Sequence, residues 1–412
     1  MKQQTKFKQT EIGKIPEDWE VVKLGSVCDV KSGKRLRKGR VLVEYKTGHP
    51  YIRVRDLSNG SVKVNELLFL DKETHKEISR YIITKDDVYI SIVGTIGLVG
   101  TIPKEICGAN LTENCARLTN LTKSTKEWLS FYLNSKSGQD QIKSLTVGTT
   151  QGKLALFRIK DINIPLPKLG EQSAIASILS SLDEKIELNN KMNKTLEAIG
   201  QAIFQRWFVD EKKDEWKIGK LGDIGKIQPG FAFKSSDFQK EGYKLIKIRN
   251  IQSPVIDIIK VEDHLSEEIF HKTDKRFYLD SGDVLIAMTG AELGKVGIIQ
   301  RVNKKMLLNQ RVGKAVSNYP FLFYLHLISP EVQGILTGIA SASSAQGNVS
   351  NSDIEKIEIV LPKKEVLELF TNSTSGLFNK LIDNLAENQT LSQLRDSLLP
   401  KLMSGEIRVP LE

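Results

Sequence analysis

The sequence has little cysteine and no long apolar run. Its 412 residues include three cysteines, Cys28, Cys107 and Cys115, and none of them belongs to a CxxC pair. This usage supports neither a disulfide framework nor a zinc site, and it favours buried free thiols. The polar start MKQQTKFKQTEIGK lacks the apolar core of a signal peptide, and no later run approaches the roughly 20 apolar residues of a membrane span. We therefore expect a cytoplasmic protein.

Motifs for catalysis are also missing from the sequence. A base methyltransferase would need an NPPY-like segment and a strand-bound GxGxxG, and neither is present. The five histidines form no HExxH motif, and the adjacent acids Asp86 and Asp87 would point to opposite faces of a strand. The glycines of GTIGLVG (94–100) and GAELGKVG (290–297) are better interpreted as turn glycines than as a phosphate loop. We expect no catalytic or metal site in this chain.

Positive charge exceeds negative charge, and the excess lies almost wholly in the first part of the chain. The sequence has 60 basic and 50 acidic residues, a formal net charge of +10. Residues 1–165 hold 28 basic and 18 acidic residues, whereas residues 213–361 hold 20 and 18. A total of this size could serve solubility alone, but its concentration in one segment favours contact with a polyanion there.

The chain contains two colinear copies of one unit. EDWEVVKLGSVCDVKSG (17–33) returns as DEWKIGKLGDIGKIQPG (214–230), and YIRVRDL (51–57) returns as LIKIRNI (245–251). DDVYISIVG (86–94) likewise returns as GDVLIAMTG (282–290). The offsets stay between 194 and 197 residues, so the order of the segments is the same in both copies. A repeat of this kind predicts two similar domains.

Each copy predicts a mixed α and β domain followed by one long helix, an α+β fold overall. The alternating apolar stretches indicate half-buried strands punctuated by glycine turns. After NIPLP and EIVLP the apolar period changes to about 3.6 residues, over Leu169–Phe208 and Val366–Ser404. We therefore predict one domain in residues 1–165 and a second in 213–361. Helical segments would follow in residues 166–212 and 362–412.

The two long helices are expected to pair with each other. A helix of about 40 residues is about 60 Å long and needs a partner to bury its apolar stripe. Asparagines at equivalent seam positions could fix the register of such a pair, although they could equally be surface positions. Residues 371–376, TNSTSG, make the second helix the weaker former. The predicted seam positions are Leu182, Ile186, Asn189, Asn193, Leu196, Leu377, Leu381, Asn384, Asn388 and Leu391.

A basic segment in the first copy is the main candidate for DNA binding. KSGKRLRKGR (31–40) holds six basic residues and no acid, and its glycines predict an exposed loop. Lysine and arginine there could neutralise phosphates, and arginine could contact guanine edges, although a solvated turn is the alternative. The equivalent segment PGFAFKSSDF (229–238) has a different chemistry. Two domains that read different short sequences would need such rewritten loops on one scaffold.

Further candidates come from the other segments that the two copies share. Arginines at strand edges could contact DNA or form structural ion pairs, and glycine-flanked glutamines could pair with adenine or cap a turn. In the first domain the candidates are Lys34, Arg35, Arg37, Lys38, Arg53, Arg55, Gln151 and Lys153. In the second domain they are Lys234, Ser235, Lys247, Arg249, Asn250 and Gln346.

Over nearly its whole length, the chain resembles the specificity subunit of type I restriction-modification enzymes. The resemblance is carried by PEDWEVVKLG, VGTIGLVG, TTQGKL, SAQGNV, PLPKLGEQSAIASILSSLDEKIE and SGEIRVP. It implies two target-recognition domains, two long helices that form an antiparallel coiled coil, and an internal pseudo-twofold repeat. It further implies that TEIGKIP near the start and GEIRVP near the end lie together. The nearly neutral second domain departs from the simplest form of this pattern.

The resemblance also implies a function and a set of partners. Each domain would read one half of a split site in double-stranded DNA, and the helices would dock two modification (methyltransferase) subunits. Restriction/translocase subunits would complete the complex, and S-adenosylmethionine, ATP and Mg²⁺ would belong to those partners. Two alternatives remain open, namely a self-contained DNA methyltransferase or nuclease and a helical scaffold that does not bind DNA. The missing catalytic motifs argue against the first of these.

Overall fold

The computed structural model describes residues 5–148, 152–211, 215–342 and 347–409. The chain divides into two compact units. The first consists of Met1–Asp183 and Gln393–Glu412, and the second of Glu184–Ser392. Each long helix therefore contributes residues to both units. The sequence-based boundaries, which treat each helix as one segment, do not show this division.

The first unit is built from two four-stranded sheets, a hairpin and a further strand pair. Its strands are β1 (Phe7–Thr10), β2 (Gly13–Pro16), β3 (Glu20–Lys23), β4 (Asp29–Ser32), β5 (Pro50–Ile52), β6 (Leu68–Phe69), β7 (Ile82–Ile83), β8 (Val88–Ser91), β9 (Val99–Thr101), β10 (Ala109–Leu111), β11 (Cys115–Thr119) and β12 (Asn163–Leu166). Its helices are α1 (Lys72–Glu77), α2 (Lys126–Asn134), α3 (Lys136–Leu145), α4 (Leu156–Lys160) and the start of α5 (Leu169–Gln205). The sheet orders are β6-β5-β10-β7 and β4-β11-β8-β9, and β3 pairs with β12.

The second unit largely repeats this order of elements and has two additional short strands. Its strands are β13 (Lys217–Lys220), β14 (Lys226–Pro229), β15 (Tyr243–Ile246), β16 (Ile251–Gln252), β17 (Val255–Ile256), β18 (His264–Leu265), β19 (Tyr278–Leu279), β20 (Val284–Ala287), β21 (Val296–Ile298), β22 (Met306–Leu308), β23 (Val312–Val316) and β24 (Glu358–Leu361). Its helices are α6 (Leu221–Ile224), α7 (Glu267–Lys272), α8 (Pro320–Ile328), α9 (Pro330–Ala342), α10 (Asn351–Glu355) and most of α11 (Lys364–Met403).

The sequence repeat corresponds to a repeat of sheet topology. The order β18-β15-β22-β19 matches β6-β5-β10-β7, including a parallel central pair in each. The order β14-β23-β20-β21 matches β4-β11-β8-β9, and the second unit adds β17 and β16 at one edge. The prediction of two similar mixed domains is therefore confirmed.

In each unit a fully buried strand separates two apolar cores. All four residues of β8 are buried, because one face packs under α2 and the other faces the second sheet. Val88 and Ile90 belong to one core and Tyr89 to the other. Leu285 and Ile286 of β20 divide in the same way. Successive side chains of a strand point to opposite faces, so a short apolar run supplies both cores.

The two long helices form close to where the apolar period predicts them. Helix α5 has 37 residues and continues into a π-helical turn, Arg206–Asp210, and α11 has 40 residues. The weak segment 371–376 is helical because the residues around it pack into the core of the second unit, with Phe370 and Phe378 buried on either side. Buried Thr374 satisfies its hydroxyl by donating to the carbonyl of Phe370 at 2.8 Å. Tertiary packing overrides low helix propensity there.

One of the three cysteines departs from the expectation of buried thiols. Cys28 and Cys115 are buried, and burial raises the pKa of Cys28 to about 12. Cys107 is exposed, because it ends the short turn that joins β9 to β10. The exposure of one residue in a connecting turn leaves no periodic pattern in the sequence, so the prediction that Cys107 is buried was wrong.

Candidate nucleic-acid interface

The basic segment of the first unit leaves β4 and runs as an irregular loop over residues 33–40. Its entry is fixed at Gly33, where a Cβ would lie 2.1 Å from the carbonyl oxygen of Thr112. The backbone N–H of Lys34 then donates to Leu111 at 2.8 Å, and the Tyr51 hydroxyl donates to the Lys34 carbonyl at 2.9 Å. The base of the loop is therefore rigidly attached to the sheet.

Two arginines of this loop are held by carboxylates. Arg35 donates to Glu113 at 2.5 Å, and Arg40 donates to Glu73 and Glu77 of α1 at 3.1 and 2.5 Å. These hydrogen bonds raise the pKa of Arg40. Burial opposes ionisation of Glu113, but the hydrogen bond from Arg35 keeps its pKa below the usual value. The two arginines fix the path of the loop over α1.

The other basic side chains of the loop are available to an anion. Lys34 is exposed, and its Nζ lies 5.5 Å from the centre of the Tyr81 ring. The side chain of Arg37 is 75% exposed and reaches Glu77 only at 3.8 Å. Within the described ranges, Lys38 is exposed and has no ion pair. These three cations form what we call the basic loop surface.

Of the two strand-edge arginines of the first unit, one has a structural partner. Arg53 forms two parallel 2.8 Å hydrogen bonds with Asp56, which is 1% exposed. This bidentate pair supports the structural alternative for Arg53, because a buried carboxylate without its cation would be costly. Arg55, by contrast, is exposed.

In the second unit the corresponding segment holds its polar side chains mostly within the fold. Asn250 is 3% exposed, accepts from the N–H of Lys247 at 2.9 Å and donates to the carbonyl of Asp257 at 3.3 Å. Asn250 therefore takes the structural place of Asp56. Lys247 pairs with Asp263 at 2.7 Å and Arg249 with the same carboxylate at 2.7 Å.

The remaining candidates lie on exposed loops or outside the described residues. Lys234 and Ser235 are exposed in the segment after β14. Lys153 is exposed and forms β-bridges with Val93 and Val147. Gln151 and Gln346 lie outside the described residues.

Some residues of this surface could not be found from the sequence. Glu73, Glu77 and Glu113 orient the basic loop, but they lie between 33 and 78 residues away from their arginine partners. Tyr45 is 68% exposed just beyond the loop. An exposed aromatic residue in a loop has no periodic signal in the sequence that would reveal its exposure.

Asp87, Asp283 and Gly94 have structural roles in turns. Asp87 is 3% exposed and accepts from the N–H and hydroxyl of Thr84 at 2.8 and 3.0 Å. Its equivalent Asp283 accepts from the N–H of Asp280 at 2.8 Å. Gly94 has a φ of +81°, a left-handed value that side chains disfavour. Residues 5–148, 152–211, 215–342 and 347–409 contain no group of three His, Cys, Asp or Glu placed to hold a metal ion.

Within the second unit, α5 and α11 meet through asparagines. Asn189 is fully buried and donates to Asn388 at 3.0 Å and to Glu387 at 2.8 Å. Asn384 donates to Asn193 at 2.9 Å, and both are buried. The partner number falls from 388 to 384 as the first rises from 189 to 193, so this helix pair is antiparallel.

The apolar seam positions surround these asparagines. Leu381 is fully buried, and Leu196 and Leu377 pack against the same core. Ile186 and Leu391 are half-buried. Lys185 reaches Glu387 at 3.1 Å, and the hydrogen bond from Asn189 lowers the pKa of that glutamate. The seam therefore contains a polar network rather than leucine alone.

In the first unit the beginning of α5 contacts the end of α11. Arg395 donates to Asp183 at 2.7 Å, next to half-buried Leu182. The same antiparallel sense therefore holds in this unit. Leu179, Leu402 and Met403 are buried in one core with the first domain.

The C-terminal segment is fastened to the N-terminal segment of the first unit. Arg408 donates to Asp18 at 3.0 and 2.8 Å and to Glu171 at 2.6 and 3.0 Å. Glu171 is 4% exposed and also accepts from Trp19 at 3.0 Å. The structure thus brings segments near the two ends of the described chain together, as the family resemblance implied. We call this network the terminal clasp.

No helix in the described part of the chain is long and apolar enough to cross a membrane.

Comparison with known proteins supplies the family. Residues 16–198 and 213–382 match the family described as the type I restriction modification DNA specificity domain. The chain is 27% identical to the type I restriction enzyme MjaIX specificity subunit of Methanocaldococcus jannaschii, covering 98% of this chain and 97% of that protein. It is 23% identical to the EcoKI specificity subunit of Escherichia coli, with 96% and 90% covered.

A solved structure has the same fold. The S subunit of a type I restriction-modification system from M. genitalium matches with a TM-score of 0.59 at 19% sequence identity. The match covers 93% of this chain and 96% of that one. The protein belongs to the type I restriction-modification DNA specificity family.

Proposed function

We propose that this chain is the DNA-recognition subunit of a type I restriction-modification complex and that it reads a bipartite site. Each domain would read one half of the site, and the sequence between the halves would be unread. The observation that carries the proposal is the basic loop surface of Lys34, Arg37 and Lys38, which stands exposed on a sheet framework that the chain repeats.

The basic loop surface has the chemistry that duplex DNA requires. Lysines and arginines that neutralise phosphates supply most of the affinity of DNA-binding proteins, and arginine also reads guanine edges. Arg35 and Arg40, which are held by carboxylates, order the loop and so reduce the entropy that binding would cost. A solvated turn would not require a backbone held in place by ion pairs, and it would not require a cluster of positive charges.

We further propose that catalysis belongs to partner subunits. Two modification subunits would use S-adenosylmethionine, and restriction/translocase subunits would use ATP and Mg²⁺. The paired helices α5 and α11 are the natural docking elements, because their exposed faces carry apolar side chains such as Leu188 and Leu369, 55% and 58% exposed. The complex would act in the cytoplasm, where chromosomal DNA is accessible.

The proposal is tested by selecting duplexes from a random library with the purified full-length chain. We expect the bound pool to converge on two short sequences at a fixed separation, and binding to weaken steeply as salt rises. Failure to bind DNA even at low salt would support a helical scaffold instead.

A second arm of the same experiment addresses the catalytic alternative. The purified chain is incubated with labelled S-adenosylmethionine and the selected duplex, with and without modification subunits of the family. We expect methyl transfer only when those subunits are present. Transfer by the chain alone would contradict the division of roles.

A further inference from the structure

The two domains carry different side chains at one equivalent surface position. Lys34 and Phe231 are 197 residues apart, and each follows a glycine at the end of its strand. The N–H of Lys34 donates to Leu111 at 2.8 Å, and the N–H of Phe231 donates to Leu308 at 3.0 Å. The backbone at the two positions is therefore held in the same way, and only the side chains differ.

The side chain beneath this position has changed together with it. In the first unit Lys34 lies 5.5 Å from the ring centre of Tyr81. In the second unit the ring centres of Phe231 and Phe277 are 5.3 Å apart. Tyr81 and Phe277 are themselves equivalent, at an offset of 196. A cation on an aromatic ring has been replaced by an aromatic ring on an aromatic ring.

Phe231 is exposed although it packs against two other aromatic rings. The residue is 46% exposed, whereas Phe277 below it is 6% exposed. Phe233 contacts it edge-to-face at 4.9 Å. These two rings restrict the motion of Phe231 and present one of its faces to solvent. A rigid exposed aromatic residue loses little entropy on binding and is typical of a contact surface.

Cationic and amide residues lie on the segments next to this group of aromatic rings. The Cζ of Arg276 lies 4.7 Å from the ring centre of Phe277, and Lys234 follows three residues after Phe231. Gln310 donates its backbone N–H to the Phe231 carbonyl at 3.0 Å, and Arg311 follows it. All four side chains are exposed. An apolar ring with cations and an amide around it matches bases flanked by phosphates.

We propose that Phe231 is a specificity-determining residue of the second recognition domain and that its ring contacts the bases of one half-site. It replaces there the charged contact that Lys34 supplies in the first domain. This inference rests on the proposed function and adds a chemical difference between the two half-site contacts. It also accounts for the near neutrality of residues 213–361, because an apolar contact with bases needs less positive charge.

The test uses the full-length chain and the bipartite duplex selected by the wild-type protein. The variants are Phe231→Ala and Phe231→Trp, with Phe157→Ala as the control. Phe157 is 65% exposed on α4 and belongs to the first unit. Affinity is measured for the selected duplex and for duplexes with single base-pair changes in each half, and thermal unfolding shows whether each variant is folded.

We expect Phe231→Ala to weaken binding by about 5-fold or more, which is the lower end of what an aromatic contact with a base contributes. Discrimination should fall in one half of the site only. Phe231→Trp should retain most of the affinity, and Phe157→Ala should match the wild type.

Wild-type affinity and discrimination for a folded Phe231→Ala chain would overturn this inference and leave the proposed function intact. A uniform loss across both halves that Phe231→Trp does not restore would also overturn it, because that pattern indicates a structural role. If the wild-type chain selects no sequence, the proposed function fails and this inference fails with it.

Discussion

Arg408 is the residue on which the terminal clasp depends. Its guanidinium pairs with exposed Asp18 and with buried Glu171, so its removal leaves a buried carboxylate with only the Trp19 N–H. We expect Arg408→Ala to lower the free energy of unfolding of the first unit by about 2 kcal/mol, less than for a fully buried pair because Arg408 is partly exposed. Lys136→Ala, which breaks an exposed pair with Asp140 in the same unit, should change it by less than about 0.5 kcal/mol. Urea unfolding measures both.

The clasp also predicts a dependence of stability on pH. The hydrogen bond from Arg408 lowers the pKa of Asp18 in the folded chain. A carboxyl group whose pKa is lowered by folding stabilises the fold at pH values above its unfolded pKa of about 3.9. This stabilisation is lost as the pH falls through the pKa of the folded state. Arg408→Ala should therefore lose less stability than the wild type between neutral pH and pH values below about 4. An equal loss in both proteins would show that the Asp18 contact is unimportant.

Arg37 and Lys38 are predicted to contact phosphates rather than bases. Both are exposed; Arg37 forms only a long 3.8 Å ion pair with Glu77, and Lys38 has no ion pair within the described ranges. Each alanine substitution should weaken binding to all sequences alike and reduce the slope of log affinity against log salt by about 0.9. Lys136→Ala is a matched control, because Lys136 is an exposed lysine paired with Asp140. If the Arg37→Ala, Lys38→Ala double variant has the wild-type slope of log affinity against log salt, the basic loop does not contact DNA phosphates.

At the scale of elements, the α5–α11 seam is held by buried asparagine pairs. Asn193 and Asn384 share one hydrogen bond, and each retains a buried polar atom without a partner. A single Asn384→Leu substitution should lower the free energy of unfolding of the second unit by about 1–3 kcal/mol, because it leaves Asn193 unsatisfied. The double Asn193→Leu, Asn384→Leu variant should be at least as stable as the wild type.

Chemical denaturation of the two single variants and the double variant gives the coupling between the asparagines. Asn372→Leu, on an exposed face of α11, is the control and should have little effect. Additive losses in the double variant would contradict a direct contact at the seam. Buried asparagines at the seam would lower stability but fix the register of the two helices, which gives a physical reason for their presence there.

The elements differ in how much of them the sequence predicts. The long helices and the duplicated strands follow from local periodicity and from comparison of the copies, which place Val88 and Val284 on equivalent buried strands. Ion pairs such as Arg35–Glu113 do not follow, because the partners are 78 residues apart and join only in the folded sheet. The sequence also could not distinguish exposed Arg55 from paired Arg53, because both arginines lie within three residues of Asp56 and only the fold shows which of them reaches it.

At the scale of the molecule, the helices would determine the separation of the two half-sites. Helix α5 has 37 residues, or about 55 Å at 1.5 Å per residue. Insertion of seven helical residues in α5 and seven opposite them in α11 should widen the unread gap by about three base pairs, because seven residues add about 10 Å. Duplex selection measures the gap. A gap of unchanged length in a folded variant would contradict the role of the helices as a spacer.

We propose above all that this chain alone determines which bipartite DNA sequence the complex recognises. This proposal is tested most directly by sequencing the methylated bases in cells that express the chain with modification subunits of its family. We predict one methylated motif with two defined halves and an undefined centre. Replacing Lys34, Arg35, Arg37 and Lys38 with alanine should abolish that methylation. A continuous motif, or an unchanged motif in the variant, would contradict the account.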